Sequence, residues 1–381
     1  MKVVVLIDSF KGSISSISAG NSVMDGVKRV FPNAEVLVLP LADGGEGTVD
    51  ALVEGCGGEF VSVETCGPLN EKVLSTYGII NNRTAIMEMS TSAGITLIDE
   101  KDRNPLFTTT FGVGEMIKHA IDNGCRDFII GIGGSATNDG GIGMLSALGY
   151  KFLDQNKNPV PFGANGLKHL KSIDCSGADK RLKECSFMIA CDVNNPLCGE
   201  NGCSAVYGPQ KGATPEMVRD MDYWMNSYAE ICKSTLKVDN KNMAGAGAAG
   251  GLGFAFATFL KATLKSGISL VLDFIGAEEV IKNADVVVTG EGRLDGQSAM
   301  GKAPVGVARL AKKHLKKVIA FSGVLGDGVN NLNQNGIDAY FPIINKVVSL
   351  EQAMDENNAK NNLTNTVEQV FRVIKEFGDI K

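Results

Sequence analysis

The sequence predicts an α/β protein built on a doubly wound parallel sheet that is split in sequence, with a second α/β domain inserted into it. Three observations carry this reading. Short apolar runs rich in β-branched residues stand at both ends of the chain: "KVVVLID" (2–8), "EVLVLPL" (35–41), "DVVVTG" (285–290), "KVIAFSG" (317–323) and "DAYFPII" (338–344). Continuous runs of this kind mark strands covered on both faces. Helical patterns alternate with them, as a parallel sheet requires. Between the two ends the pattern changes, with paired strand candidates flanking polar turns over 66–100 and 150–210. The expected division is residues 1–65 with 284–381 for the split domain, and 66–283 for the insertion.

Taken in order, the first strand ends in "DSFKGS", which offers Asp8 and Lys11, and the second in "PLADGGEGT", which offers Asp43 and Glu46. "VLSTYGIINNRTAIMEMS" reads as an antiparallel hairpin about Asn81 and Asn82, and "YKFLDQNKNPV" as another around a polar turn. "TTFGVGEMIKHAIDNG" and "EMVRDMDYWMNSYAEICKS" read as helices. "DFIIGIG" is a strand running into "GGSATNDGG", and "FMIA" one running into "CDVNNPLCG". Near the end, "VVVT" leads to "GEGRLDGQ", and "APVGVARLAKKHL" is a helix whose Pro304 occupies the first turn, where no hydrogen bond is lost. Its basic run, Arg309 to Lys317, reads as a solvated helix face.

Composition excludes several function classes. The 381 residues carry a net charge of −6, against the basic footprint that nucleic-acid binding needs. Nine cysteines without a Cys-x-x-Cys pair, and only three histidines, fit neither a structural zinc site nor a secreted disulfide scaffold. They are expected to be reduced, which places the protein in the cytoplasm. The apolar start before Asp8 is too short for a signal peptide, and the uncharged stretch 243–260 opens on five glycines, so it reads as a glycine loop entering a buried helix rather than a membrane span.

Glycine loops dominate the motifs. "GQSAMGKA" (296–303) imitates a P-loop, but Ala303 stands where the magnesium-holding hydroxyl belongs. "GAGAAG" (245–250) spells a dinucleotide fingerprint without the strand that should precede it; "GIGGSA" (131–136) does follow a strand, but continues into polar residues. Such loops bring backbone N–H groups close to an anion, although glycine also serves turns alone. Acids, amides and cations follow predicted strands in four places: Asp8 with Lys11, Asp43 with Glu46, Asp192 with Asn194 and Asn195, and Glu291 with Arg293, Asp295 and Gln297. A single acid there is commonly a helix cap, as Asp43 or Asp139 would be. Phosphoryl transfer draws on this inventory: cations for the phosphates, carboxylates for Mg²⁺ and for the attacking hydroxyl. Acyl transfer is excluded by the lack of a nucleophile elbow and the scarcity of histidine.

In this order, "DSFKGSISS", "PLADGGEGT", "GIGGSATNDGG", "CDVNNPLCG", "GPQKGA", "GAGAAGGLGF" and "GEGRLDGQSAMGKAP" resemble the bacterial glycerate kinase family, from about Asp8 to the low 300s. The resemblance implies a discontinuous Rossmann-like domain with an inserted second domain, a cleft between them, and transfer of phosphate from ATP, with Mg²⁺, to D-glycerate; 2-phosphoglycerate is the favoured product. It implies Asp192, Asp295 and Lys11 as catalytic residues, Asp192 and Asp295 also as metal holders, and Asp8, Asp43, Glu46, Ser135, Asn138, Asp139, Lys211, Glu291 and Arg293 as substrate or phosphate contacts. A homodimer is a further expectation, with no nucleic-acid or membrane partner. Two other readings of the glycine loops stand beside it: an NAD(P)-dependent dehydrogenase of a small hydroxy acid, and a non-catalytic sugar-acid-binding regulator.

Overall fold

The computed structural model describes residues 1–377. Its strands are, in chain order, β1 (Lys2–Ile7), β2 (Glu35–Pro40), β3 (Glu59–Cys66), β4 (Lys72–Ile80), β5 (Thr84–Glu88), β6 (Asp127–Gly131), β7 (Lys151–Leu153), β8 (Ser172–Asp174), β9 (Ser186–Ala190), β10 (Thr263–Lys265), β11 (Val286–Leu294), β12 (Lys317–Leu325) and β13 (Ala339–Pro342). The chain forms two compact units, Met1–Gly57 with the chain from Ile268 onward, and Gly58–Gly267. These seams lie ahead of the expected 65/66 and 283/284. β3 pairs along its whole length with β4, which draws it into the second unit. The helix Gly267–Phe274 sends Ile268 against Gly306, which ties it to the first.

The first unit holds a parallel five-stranded sheet in the order β13-β12-β11-β1-β2. The strand at the start of the chain thus pairs with one that begins at Val286, as the shared apolar pattern predicts. Val3, Val5 and Ile7 face one side and join Val23, Val27, Leu363 and Phe371 in a core beneath the helices Ser16–Val30 and Glu356–Phe377. Val4, Leu6, Val287 and Val318 are equally buried on the alternate positions, as period-two geometry requires of a strand covered on both faces. The edge strands differ from that expectation: β2 and β13 are only half-covered, because each has one neighbour and an open side. β11 also runs further than its apolar run, since its pairing with β12 continues to Leu294 opposite Leu325. Glu291 and Arg293 therefore sit on a strand, not on the loop after it.

The second unit holds a six-stranded sheet, β10-β9-β6-β5-β4-β3, in which β5, β6, β9 and β10 are mutually parallel and β3 and β4 antiparallel. Parallel pairing is therefore more extensive here than the hairpin pattern suggested. The hairpin β4–β5 turns at Asn81 and Asn82, whose φ of 54° and 51° are the left-handed values asparagine tolerates. The polar turn after Leu153 closes on Asn158 through the N–H of Asp154, but the regular partner of β7 is β8 rather than the residues after the turn. The long helix Pro215–Leu236 and the glycine-entered helix Ala248–Phe259 cover a core that includes Phe128, Phe187, Tyr228 and Phe254. Among the described residues no helix is long and apolar enough to cross a membrane.

Candidate active site

Counted within the first unit alone, the strand order is 2-1-3-4-5. The chain winds one way from β1 to β2 and the other way from β11 to β13, so the direction reverses between β1 and β11. Loops part at such a point, and open α/β sheets hold ligands in the crevice it leaves at the carboxyl ends of the strands. A cavity of about 950 Å³ lies there. Its lining combines Asp8, Lys11, Asp43, Glu291, Arg293, Asp295 and Lys302 with the apolar Val324, Ile343, Val347, Leu350 and Met354.

Hydroxyls that the sequence reading did not single out lock the loops of this cavity. Ser16 is buried and donates from Oγ to the Ile7 carbonyl at 2.7 Å while accepting from the N–H of Leu41 at 2.9 Å, so the exits of β1 and β2 are fixed relative to each other. Ser322 does the same for β11 and β12, accepting from the N–H of Leu294 at 3.0 Å and donating to the Val324 carbonyl at 2.8 Å. Ser298 donates to Glu291, and the Asp295 carboxylate accepts from the N–H groups of Gln297 and Ser298 at 2.9 and 3.3 Å and from Arg293 Nε at 3.2 Å. Gly290 is required by packing, because a Cβ there would meet the Phe321 carbonyl at 2.0 Å.

The electrostatics set these carboxylates apart. Burial raises the Asp8 carboxyl from 3.8 to about 7, helped by the charges of Asp43 and Glu291 and opposed by the Ser9 N–H and Lys11. Burial also raises Glu291, reinforced by Asp43 and Asp295 and opposed by the Ser298 hydroxyl and Lys302. Asp295 moves the other way: burial works against its charge, but the N–H groups of Gln297 and Ser298, with Arg293 and Lys302, outweigh it and hold the carboxyl below its ordinary value. One crevice thus contains a carboxylate fixed in its charged form and another poised to exchange a proton near neutrality, which is how sites separate positioning from acid–base work.

The donor set suits magnesium. Among the described residues no three His, Cys, Asp or Glu side chains converge as a ready cage. Mg²⁺ needs none, because it is held by one or two carboxylates together with substrate phosphates and water. Asp43, in the cavity lining and in electrostatic reach of Asp8, supplies such an oxygen.

In the second unit, β5, β6 and β9 end side by side, Glu88 opposite Gly131 and Gly131 opposite Ala190. The loops carrying Ser135 and Asp192 therefore leave the same sheet edge. Asp139 is fully buried and accepts from Thr110 N and Oγ1, Gly141 N and Gly143 N, so its oxygens are taken up in holding the start of the helix Ile142–Ala147. Asn138 is equally buried, with its amide nitrogen on Ser204 Oγ at 2.9 Å. Lys211 is 2% exposed, and its Nζ donates to Ser135 Oγ at 2.7 Å and to the Thr137 carbonyl at 2.6 Å; burial lowers its pKa to about 8. Asp192 accepts from the Gly267 N–H at 3.0 Å. Glu46 is exposed on its loop and is not part of the cavity lining. The apolar wall from Ile343 to Met354 escaped the sequence reading because nothing in its composition separates a ligand-facing apolar segment from a core-facing one.

A family model described as the glycerate kinase family matches residues 3–375. The chain is 47% identical to a glycerate kinase of Haemophilus influenzae, covering 98% of this chain and 99% of that one. It is 46% identical to a glycerate 2-kinase of Escherichia coli over 93% of each. Its fold is similar to the crystal structure of a protein described as glycerate kinase 2 from Salmonella typhimurium LT2, with a TM-score of 0.91, 45% identity, and 99% and 98% of the two chains covered.

Proposed function

The chain belongs to the glycerate kinase family, and from that premise we propose that it transfers the γ-phosphoryl group of ATP to the 2-hydroxyl of D-glycerate, giving ADP and 2-phosphoglycerate. The observation that carries the reading is the crevice between β1 and β11, where Lys11, Arg293, Lys302 and Lys346 line the same cavity as a graded set of carboxylates. Its volume suits a nucleotide, within the usual range for ligand pockets. The base lies against Val324, Ile343, Val347 and Met354, and the phosphates meet Lys11, Arg293 and Lys302. Asp295, held in its charged form, orients Arg293. Asp43 would hold Mg²⁺, which would supply positive charge to offset that developing on the transferring group.

The acceptor hydroxyl must lose a proton as it attacks. A general base works best when its pKa lies near the working pH, a condition Asp8 meets and Asp295 does not. Asp192 stays in the proposal as the carboxylate that the second unit brings to the acid, and Ser135 and Lys211 as supports of its glycine loop. ADP release from ATP, followed with D-glycerate in the presence and absence of Mg²⁺, tests the reading. Release that depends on both is expected; none with D-glycerate, alongside turnover of another hydroxy acid, would overturn the substrate.

A further inference from the structure

Arg103 lies in the second unit, on the stretch that leads from the short helix Glu100–Asp102 toward the helix Phe111–Asp122. It is half-buried, and its Nε is shut off from solvent without a hydrogen-bond partner. No ion pair or hydrogen bond engages its guanidinium among the described residues. An arginine carries five N–H donors and keeps its charge at all working pH values, so one left unsatisfied at a partly buried position is costly unless an anion completes it.

Its surroundings match that need. The backbone of Arg103 presses on Gly212, where a Cβ would come within 2.1 Å of the Arg103 carbonyl. The neighbouring Lys211 reaches from there to Ser135 and Thr137. Five residues further along, Thr108 Oγ1 donates to the Ala136 carbonyl at 3.0 Å, so the stretch from Arg103 to Thr108 runs from the Lys211 turn to the glycine loop. In that loop Gly133 and Gly134 are exposed, a Cβ on Gly133 would meet open space, and Gly134 has a left-handed φ of 71°. The N–H groups of Gly133, Gly134 and Ser135 have no acceptor among the described residues. Successive free N–H groups about a left-handed residue form a concave anion seat.

We propose that Arg103 and the Gly133–Ser135 turn form an anion site that binds the carboxylate of the acid substrate, with Lys211 as a positioning residue that braces the turn from beneath. This rests on the reading of the protein as a kinase of a small hydroxy acid. A carboxylate matches the planar two-pronged fork of arginine. A nucleotide phosphate would meet the same donors, but the proposed function assigns the phosphates to Lys11, Arg293 and Lys302, which line the cavity of the first unit.

The test compares wild type, Arg103→Met and Arg103→Lys in two measurements. In steady state, Arg103→Met should raise KM for D-glycerate roughly 10- to 100-fold, the usual worth of a charge-assisted hydrogen bond, and leave KM for ATP within about twofold. The preference for D-glycerate over uncharged glycerol should shrink by a similar factor, which a merely structural role would not produce. Arg103→Lys keeps the charge without the fork and should fall between the two. Titration calorimetry of D-glycerate should show binding to wild type and its loss in Arg103→Met. An unchanged affinity for D-glycerate in Arg103→Met overturns the site, and a rise in KM for ATP alone overturns the carboxylate assignment. Arginine-dependent binding of D-glycerate without any ADP release would leave the site standing and remove the kinase reading instead.

Discussion

Asp8 shows how one residue joins fold to chemistry. It follows the last residue of β1, its N–H donates to the Gly290 carbonyl at 2.9 Å, and burial beside Asp43 and Glu291 brings its carboxyl to about 7. In the unfolded chain that carboxyl ionises near 3.8. Between these values the folded protein holds a proton that the unfolded chain has released, so this residue's contribution to stability falls as pH rises through the window. Glu291 is displaced in the same direction and adds to the effect. Asp8→Asn removes the titration, and the expected result is a smaller drop in Tm between about pH 5 and about pH 8 than in wild type. The same variant should lower kcat by roughly 10² to 10⁴-fold as the loss of a positioned base. An unchanged pH dependence of Tm would show that Asp8 does not carry the buried charge. At this scale the sequence marked Asp8, Lys11, Glu291, Arg293 and Asp295, because acids and cations at strand exits form a readable pattern. It could not distinguish Asp139, whose acid-and-glycine surroundings look the same when the carboxylate anchors a helix start, and it passed over Arg103, a single arginine outside any glycine motif.

At the scale of elements, apolar runs identified the central strands because burial on both faces leaves no place for polar residues. The same rule misjudged β2 and β13, since an edge strand can be as apolar in sequence yet only half-covered. It also ended β11 too early, because backbone pairing with β12 holds Glu291 and Arg293 in the strand whatever their side chains. Helix packing supplies a sharp test. The helix Ser16–Val30 crosses Glu356–Phe377 at Gly26, where a Cβ would lie 2.6 Å from the Thr364 carbonyl and 2.8 Å from Val367. Alanine in a helix ordinarily gains up to about 1 kcal/mol over glycine. Here the overpacking cost of about 1–3 kcal/mol should win, so Gly26→Ala is expected to lower Tm. A rise in Tm would mean that the two helices move apart at little cost.

At the scale of the molecule, the split in sequence follows from the first unit's need for β1 and β2 to complete a sheet whose other strands come from the end of the chain. The excursion between them builds a second sheet with its own core and its own edge of loops. The apolar patterning made the split legible, whereas the parallel half of the second sheet was hidden because β10 is only three residues long and long connections separate β6, β9 and β10, although "DFIIGIG" and "FMIA" were read as strands. Phosphorus NMR of the product tests the proposed phosphoryl transfer to the 2-hydroxyl of D-glycerate. In 2-phosphoglycerate the phosphorus is coupled through oxygen to a single methine proton, and in 3-phosphoglycerate to a methylene pair. A doublet growing in step with ADP is expected; a triplet would place the phosphate on the 3-hydroxyl and contradict that transfer, as would ADP and free phosphate with no phosphoglycerate signal at all.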